Sequence, residues 1–426
     1  MTSERRPLLN VNLRWFLLAM ILANIAGQMG YSMLSLYLID LGADVGQVGL
    51  VFTLASLVPT GLQILGGWLS DTIGRLRSIA IGSFVSVFGW LVFFLAPSWE
   101  WVLVGLCLDY VSNSVVGPSF SAYIAEQSSE EERGRVFGLT KSIYMIVTVI
   151  GPALAGFLAY RFGFRSMMLV ALILFASATG VRIWMGTAER FAPKKSTEKP
   201  TMARLRTQLG AMFALLFAGG ILTWIWVTDA IGDTAFNLIG QLYPIYLSEI
   251  GGLNVQQIGW LNAAWGAATI VASALAGWLA DRTGERRVIA GGFLMVTGGL
   301  AILLQAKTLP AFLAAMVIYG LGVGCLMPAY DSLISKVVPE DRRGLAYGLF
   351  GTSLGLLSLP FPWIGAQLWE RFGPQVPFWV TVAACIISIP IVWFKFVLPG
   401  QPDAGDKSLT GRLDPLDGER DTAGPD

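Results

Sequence analysis

Long apolar runs, separated by short polar segments, fill the chain from about residue 14 to residue 398. Each run has 20 or more residues, and as a helix this length crosses the about 30 Å of hydrocarbon in a bilayer. Spans must be helical, because every backbone N–H and C=O in lipid needs a partner within the protein. The pattern therefore predicts twelve membrane-spanning helices, at 14–39, 46–70, 77–97, 101–125, 137–160, 164–187, 217–248, 256–280, 287–307, 309–333, 345–370 and 374–398.

The composition favours a membrane protein and argues against an enzyme. The chain is 54% hydrophobic and 13% charged, whereas in soluble domains about a quarter of all residues are charged. It has no histidine, and its cysteines (107, 325 and 385) fall inside predicted spans without a spacing typical of metal sites or disulfides. With no phosphate loop and no nucleophile–base arrangement, the sequence predicts no enzyme activity, no cofactor and no metal. Energy would then come from a gradient.

Basic residues predict the orientation. If the N-terminus is cytoplasmic, all but four of the 29 Lys and Arg lie on the inner side, as the positive-inside rule requires. Both termini are then cytoplasmic, and the absence of Asn-x-Ser/Thr acceptors fits a bacterial inner membrane. The first apolar run is too long for a cleavable signal peptide and stays as a span. The net charge of +1 gives no sign of a nucleic-acid partner.

The chain repeats itself at an offset of 210 residues. Six of the eleven residues from Gly67 to Arg77 return between Gly277 and Arg287, and Arg161-Phe162-Gly163 returns as Arg371-Phe372-Gly373. A period this long is a duplicated half-molecule rather than a solenoid, which points to a two-bundle transporter. The predicted units are a first bundle (1–187), a cytoplasmic linker with a short amphipathic helix (188–208), a second bundle (209–398) and a disordered cytoplasmic tail (399–426).

The repeated segment resembles a known family signature. Gly67-x-Leu69-x-Asp71-x-x-Gly74-Arg75-x-Arg77 is similar to the loop between helices 2 and 3 of the major facilitator superfamily, and its second copy carries Gly277, Asp281, Gly284, Glu285 and Arg287. Helix 5 partly resembles the antiporter signature of drug exporters at Gly138, Gly151, Pro152 and Gly156, with Val147 and Ala155 in place of glycine. An in-span arginine of helix 4 is replaced by Leu106. The resemblance implies an all-α membrane protein, two pseudo-symmetric six-helix bundles, and transport by alternating access.

Charges in and near the signature predict contacts between helices. Asp71 and Arg75 are four residues apart and are expected to pair across one helical turn. In the family an acid at the end of helix 4, here Glu126, joins this cluster. At the same offset Arg75 becomes Glu285 and Glu126 becomes Lys336, so the two partners exchange sign together. We interpret both clusters as latches of the inner gate; the alternative is a role in topology and folding only.

Polar stripes on two equivalent helices predict a cavity. Helix 1 carries Asn24, Gln28 and Ser32, and helix 7 carries Asp229, Asp233, Asn237 and Gln241, each four residues apart and hence on one face. In the superfamily helices 1 and 7 line the central cavity, so the resemblance assigns these residues to substrate and coupling-ion contact. The alternative is hydrogen bonding between packed helices.

Acidic residues inside the spans suggest proton coupling. Asp233 lies near mid-span, Asp229 one turn further inward, and Asp109 inside helix 4 with Asn113 one turn on. No Lys or Arg is expected at comparable depth, since Lys141 and Arg182 lie nearer the inner ends. Carboxyl groups in such places are protonated, hold a cation, or exchange one for the other. Asp331 is interpreted as an interfacial charge.

The function predicted from these features is proton-coupled efflux of a small amphiphilic or cationic molecule. The expected partners are that small molecule, a proton or other coupling cation, and the lipid bilayer, with no nucleic acid and with the protein acting as a monomer. An importer or facilitator of a polar metabolite stays open as an alternative. A non-transporting membrane sensor or scaffold is the other alternative, against which the two intact signatures argue.

Overall fold

The structure, a computed structural model, describes residues 11–128, 132–188, 220–338 and 343–396, and every regular element in these ranges is an α-helix. The helices are α1 (Val11–Asp40), α2 (Val45–Ile73), α3 (Arg75–Leu95), α4 (Trp99–Gln127), α5 (Arg133–Ala188), α6 (Ile221–Gly240), α7 (Tyr243–Glu249), α8 (Val255–Thr283), α9 (Glu285–Gln305), α10 (Leu309–Val337), α11 (Arg343–Ser358), α12 (Phe361–Phe372) and α13 (Val376–Lys395).

Glycines in the left-handed region separate helices at equivalent places in the two halves. Gly74 (φ 97°) and Gly284 (φ 88°) turn the chain between α2 and α3 and between α8 and α9, and only glycine adopts such angles without a steric cost. The turn at Gly74 places Asp71 at the end of α2 and Arg75 at the start of α3. The Asp71 side chain lies outside the described residues, so its expected pairing with Arg75 stays a prediction.

The predicted spans match the observed helices with three differences. α5 is a continuous run of 56 residues whose helical geometry is interrupted only at Gly163 (φ 80°), so it covers two predicted spans. The predicted span 217–248 is divided into α6 and α7, and 345–370 into α11 and α12 next to Pro360. Proline favours such a break because it lacks an N–H and clashes with the preceding turn.

Nine helical stretches in the described ranges are long and apolar enough to cross a membrane, and one of them, Ala346–Phe372, runs through α11 and α12. α6, which carries Asp229, Asp233 and Asn237, is not among them. The count of twelve passes stays a prediction. The predicted linker, apart from residue 188, and the predicted tail lie outside the described residues, so the unit boundaries stay predictions as well.

Buried apolar side chains of both halves form one continuous core, and a smaller apolar cluster around Phe16 and Tyr123 lies in the first half. In the first half α1 packs along α5 and α3 along α4, and in the second half α10 packs against both α8 and α9. The largest fully buried side chains include Trp90 and Phe93 in the first half and Phe293 and Phe378 in the second. Burying such rings contributes about 1.5–3 kcal/mol each relative to exposure in water; in a bilayer, close packing takes over much of this role.

The two halves meet near one end of the molecule. We call the end with the turns at Gly74 and Gly284 the motif end, and the opposite end, with residues 40–46 and 249–255, the far end. Three described hydrogen bonds join the halves, and all lie toward the far end: Ser35 Oγ to Gln241 Oε1 (3.3 Å), Gly46 N to Glu370 Oε1 (2.7 Å) and Trp363 N to Thr53 Oγ1 (3.1 Å).

Two facing glycines allow a close approach between the halves. Gly156 of α5 faces Gly259 of α8, and a Cβ added at Gly259 would lie 2.9 Å from the Cα of Gly156. Small residues at helix contacts let backbones approach closely, which is how helices associate in lipid. α5 and α8, with α2 and α12, therefore hold the far end together.

Candidate functional site

A cavity of about 840 Å³ lies between the two halves. α2 and α4 contribute one wall, and α6, α11 and α12 the other, with Ser56, Asn113, Ser114, Ser121, Asp233, Asn237, Thr352 and Ser358 among the polar lining residues. Asp233 is the only ionisable side chain among the described residues that line it. We call it the central cavity.

Asp233 is held by neutral partners. Ser358, the last residue of α11, donates its hydroxyl to the Asp233 carboxylate, and the Asn237 amide donates to the Asp233 backbone carbonyl at 2.9 Å. The break between α11 and α12 leaves Ser358 at a helix end facing α6. A carboxyl group in this position can bind and release a proton or a cation without first breaking an ion pair.

A second cavity, of about 420 Å³, lies within the first half and is called here the N-half cavity. Residues of α1, α3, α4 and both parts of α5 line it, including Asn24, Tyr31, Trp90, Asp109, Asn113, Phe120, Lys141, Tyr144, Phe175 and Arg182. Asn113 also lines the central cavity, so this amide stands in the wall between the two spaces.

Asp109 is buried at one side of the N-half cavity in a network of donors. Its carboxylate accepts hydrogen bonds from the hydroxyls of Tyr31 and Ser86, and from the Asn113 amide at 2.9 Å. With only 2% of its surface exposed, Asp109 depends on these donors to offset the loss of water. The three hydrogen bonds fix the position of the carboxylate and give both of its oxygens a partner.

Arg182 corrects one expectation from the sequence. The sequence predicts that Arg182 lies nearer an inner helix end than the acids do, but the structure buries it to 5% exposure in the wall of the cavity that also contains Asp109. Its guanidinium donates to Ser83 Oγ at 2.6 Å and lies 5.9 Å from the centre of the Phe175 ring. Lys141 lines the same cavity. Basic groups therefore share a cavity with Asp109.

The structure divides the predicted stripes between several places. Asn24 lines the N-half cavity, while Gln28 and Ser32 lie outside both cavity walls: the Gln28 amide donates to the Tyr144 hydroxyl at 3.3 Å, and Ser32 donates to its own helix.

On the second helix, Asp233 and Asn237 line the central cavity and Gln241, at the end of α6, bonds to Ser35 of the other half. Asp229 lines neither cavity. Gln28 and Gln241 thus make the hydrogen bonds between helices that the alternative interpretation expects, whereas Ser32 bonds within its own helix. A role of these three residues in transport stays a prediction.

The charge pairs of the motif end are brought together in both halves. Arg75 Nε lies 3.4 Å from Glu126 Oε1, and Lys336 pairs with Glu285, which also accepts from Ser332 Oγ at 2.8 Å. Glu285 is 2% exposed, whereas the Glu126 side chain is 51% exposed. Each pair joins two helices of one half, so neither bridges the halves directly.

Several other signature residues are exposed or have no close neighbour among the described residues. Asp281 and Arg287 are exposed, and nothing lies within 4 Å of a Cβ added at Gly138 or Gly277. The side chain of Asp71 and the contacts of Gly67 lie outside the described residues. Gly151 packs against Gln28 of α1, and Pro152 offers its carbonyl oxygen to the Gly259 contact. In the helix 5 motif, Gly151, Pro152 and Gly156 thus serve close helix packing.

Sequence reasoning missed four residues of these sites: Tyr31, Ser86, Arg182 and Ser358. Tyr31 could have been found, since it lies seven residues after Asn24 and so shares its helix face. The others depend on how neighbouring helices are rotated and where α11 breaks, which a single helical pattern does not specify.

The architecture is that of a membrane transporter: two repeated helical halves that enclose a polar cavity and close on it at one end. The Major Facilitator Superfamily profile matches residues 16–254 and 225–418, and the chain belongs to this family. Its helices and the family place it in a membrane as a multi-pass protein. It is a secondary transporter of a small molecule, not an enzyme.

Several named transport proteins are similar in sequence. A multi-drug resistance efflux pump PmrA homolog of Lactococcus lactis is 27% identical over 77% of this chain and 81% of that protein. The multidrug resistance protein MdtH of Aeromonas hydrophila is 26% identical over 80% and 84%. The riboflavin transporter RibZ of Clostridioides difficile is 21% identical over 74% and 78%. The efflux pumps make this a transporter of the drug-efflux type.

A solved structure shares the fold. A bacterial homologue of the iron transporter ferroportin, in an inward-facing state, superposes with a TM-score of 0.72 and covers 90% of this chain and 98% of that one, at 15% sequence identity. At this identity the likeness concerns the fold alone.

Proposed function

We propose that the protein exports small amphiphilic molecules across the cell membrane in exchange for protons. The motif end and both termini face the cytoplasm, because nearly all basic residues then lie inside. The contacts between the halves at the far end then make this an inward-facing state, in which the central cavity receives substrate from the cytoplasm. A single chain carries both halves and acts as a monomer.

Asp233 is the residue that carries this proposal. It is the one ionisable group among the described residues lining the space between the halves, and its partner Ser358 is neutral. Binding a proton removes the only charge of that lining, and releasing the proton restores it. A substrate that prefers one of these two forms is thereby coupled to proton movement, since coupling requires a difference in affinity between states.

The ion pairs at the motif end act in the same cycle as gate elements. Because each pair lies within one half, it sets the position of two helix ends (α3 with α4, and α9 with α10) rather than tying the halves together. Breaking a pair would loosen the surface on which the halves meet when the motif end closes.

The experiment is transport into proteoliposomes with the Asp233→Asn variant. With an imposed pH gradient, the parent protein should move a fluorescent amphiphile such as ethidium, and the variant should lose this gradient-driven flux while still binding the dye. Asp40→Asn is the matched control, because Asp40 is exposed at the end of α1. Full flux in the Asp233 variant would refute the coupling role.

Reversing the gradient separates export from import. An exporter of this kind moves substrate against the direction of proton flow, so inverting the pH gradient should reverse the flux. Movement of substrate together with protons would instead establish an importer, and no flux across a broad substrate panel would establish a sensor or scaffold.

A further inference from the structure

The N-half cavity holds more positive than negative charge. Two basic side chains, Lys141 and Arg182, line it, and Asp109 is the only carboxyl group among the described lining residues. The oxygens of Asp109 already accept three hydrogen bonds from neighbouring side chains. Lys141 also has Asp331 of the second half close enough for attraction, so among the described residues Arg182 is the basic group of this cavity without a carboxylate partner.

Arg182 is the group that most needs a ligand. A guanidinium has five N–H donors, and the described partners of Arg182 are one hydroxyl, Ser83 Oγ, and the face of the Phe175 ring. In the described part of the chain no carboxylate forms an ion pair with it. A buried cation without an anion is costly, and ionisable residues inside spans usually face a cavity or a substrate path. Ser83, itself fully buried, holds the guanidinium at the cavity wall.

The rest of the cavity suits a flat apolar ligand. Aromatic rings of Trp90, Phe120, Phe137, Tyr144 and Phe175 line it, and rings of this kind stack on planar molecules. Its volume of about 420 Å³ lies within the about 300–1,000 Å³ typical of small-molecule sites. Lys141 is exposed, so it can attract an anion before the ligand reaches Arg182.

We propose that the N-half cavity binds small aromatic anions, carboxylates or sulfonates, with the anionic group on the Arg182 guanidinium and the rings among the cavity aromatics. The guanidinium fork matches a carboxylate or sulfonate in geometry as well as in charge. This inference rests on the proposed function, since it takes the cavity as part of the transport route. It extends the substrates from cationic amphiphiles to acidic ones.

Isothermal titration calorimetry of the full-length protein in nanodiscs of neutral lipid tests the site. Three probes of the same ring size differ only in charge: 2-naphthoate, neutral 2-naphthamide and cationic 2-naphthylmethylammonium. The parent protein should bind naphthoate tightest. Arg182→Gln should weaken naphthoate binding by about tenfold to a hundredfold, the usual effect of losing a hydrogen-bonded charge partner, and should leave naphthamide binding unchanged. Arg161→Gln, at an exposed arginine of the same helix α5, is the matched control and should change neither.

Three results would overturn the proposal: naphthamide or the ammonium binding as tightly as naphthoate, naphthoate binding to Arg182→Gln within about twofold of the parent, or an equal loss in Arg161→Gln. Should Arg182→Gln fail to fold, Ser83→Ala keeps the charge and removes only the oxygen that positions it. Weaker naphthoate binding in that variant supports the site, and unchanged binding overturns it.

Binding and transport fail independently in this design. Calorimetry detects naphthoate without any gradient, whereas the proteoliposome experiment on Asp233 requires one. Proton-driven flux of the cationic dye with no preference for naphthoate would overturn the anion site alone. A clear naphthoate preference without gradient-driven flux would overturn the proposed function alone.

Discussion

Closing of the far end depends on the contact between Gly156 and Gly259, and Gly259→Ala should oppose it. The new methyl group would lie 2.7 Å from the Pro152 carbonyl oxygen and 2.9 Å from the Gly156 Cα. Carbon atoms in contact prefer a separation of about 3.5–4.0 Å, so α5 and α8 must move apart by about 0.6–1 Å. Since both neighbours are backbone atoms, no side-chain rotation can relieve the clash.

The size of the effect follows from the cost of overpacking. One extra methyl group in a tightly packed contact costs about 1–3 kcal/mol. We expect the cost to fall on the state in which the far end is closed, because alternating access moves the halves apart at the end that opens. At about 1.4 kcal/mol per tenfold change, the balance should shift toward the outward-open state by about fivefold to 150-fold.

Cysteine labelling from each side of the membrane measures this shift. In a background where Cys107, Cys325 and Cys385 are replaced, Thr352→Cys places one thiol in the central cavity wall. With Gly259→Ala, an impermeant maleimide should react faster from the far-end side and more slowly from the motif-end side.

The control for this experiment is Gly180→Ala. It adds a methyl group to α5 where nothing lies within 4 Å, so labelling should match the parent. Parental labelling from both sides in a folded Gly259→Ala protein would refute the idea that this contact closes the far end.

Three further predictions concern hydrogen bonds and ion pairs. Lys336→Met leaves the buried Glu285 without its cation and should lower the free energy of unfolding by about 3–5 kcal/mol. Glu126→Gln, at the half-exposed pair, should lower it by less than about 1 kcal/mol. Equal shifts in Tm for the two variants would contradict this. Glu370→Ala removes the acceptor of the Gly46 N–H and should increase far-end labelling, with Glu370→Gln intermediate because it keeps an oxygen; no change in either would contradict it. Tyr31→Phe removes one donor to Asp109 and should lower stability by about 1–3 kcal/mol, measured as thermal unfolding, and an unchanged Tm would count against that network.

The repeat made much of the fold predictable. Gly74 and Gly284 occupy equivalent positions in the two copies of the repeat, so a turn at one glycine implies a turn at the other. Both glycines have the same left-handed geometry. The exchange of Arg75 and Glu126 for Glu285 and Lys336 likewise indicated which helix ends lie together. This information comes from comparing the two copies of the repeat. The apolar pattern of one copy alone does not contain it.

The site was less predictable because it depends on helix rotation and on breaks. A spacing of four places residues on one face but does not say which neighbour that face meets, so Gln28 and Ser32 lie outside the cavity walls that Asn24 helps to form. Arg182 lies late in its span, where an arginine can reach the inner surface. In the structure its side chain points into the protein interior and donates to Ser83 instead. No feature of its own helix indicates this.

Because the charge pairs are exchanged between the halves, equivalent helix ends carry opposite charges in the two halves. Glu285 begins α9 and Lys336 lies in the last turn of α10, which are the positions where the helix macrodipoles stabilise an anion and a cation. In the first half the signs are reversed, with Arg75 at the start of α3 and Glu126 near the end of α4. Each charge there opposes the macrodipole of its own helix, and the Arg75–Glu126 ion pair offsets part of this. Hydrogen exchange should therefore be faster in the first turn of α3 than in the first turn of α9, so that the first half frays before the second.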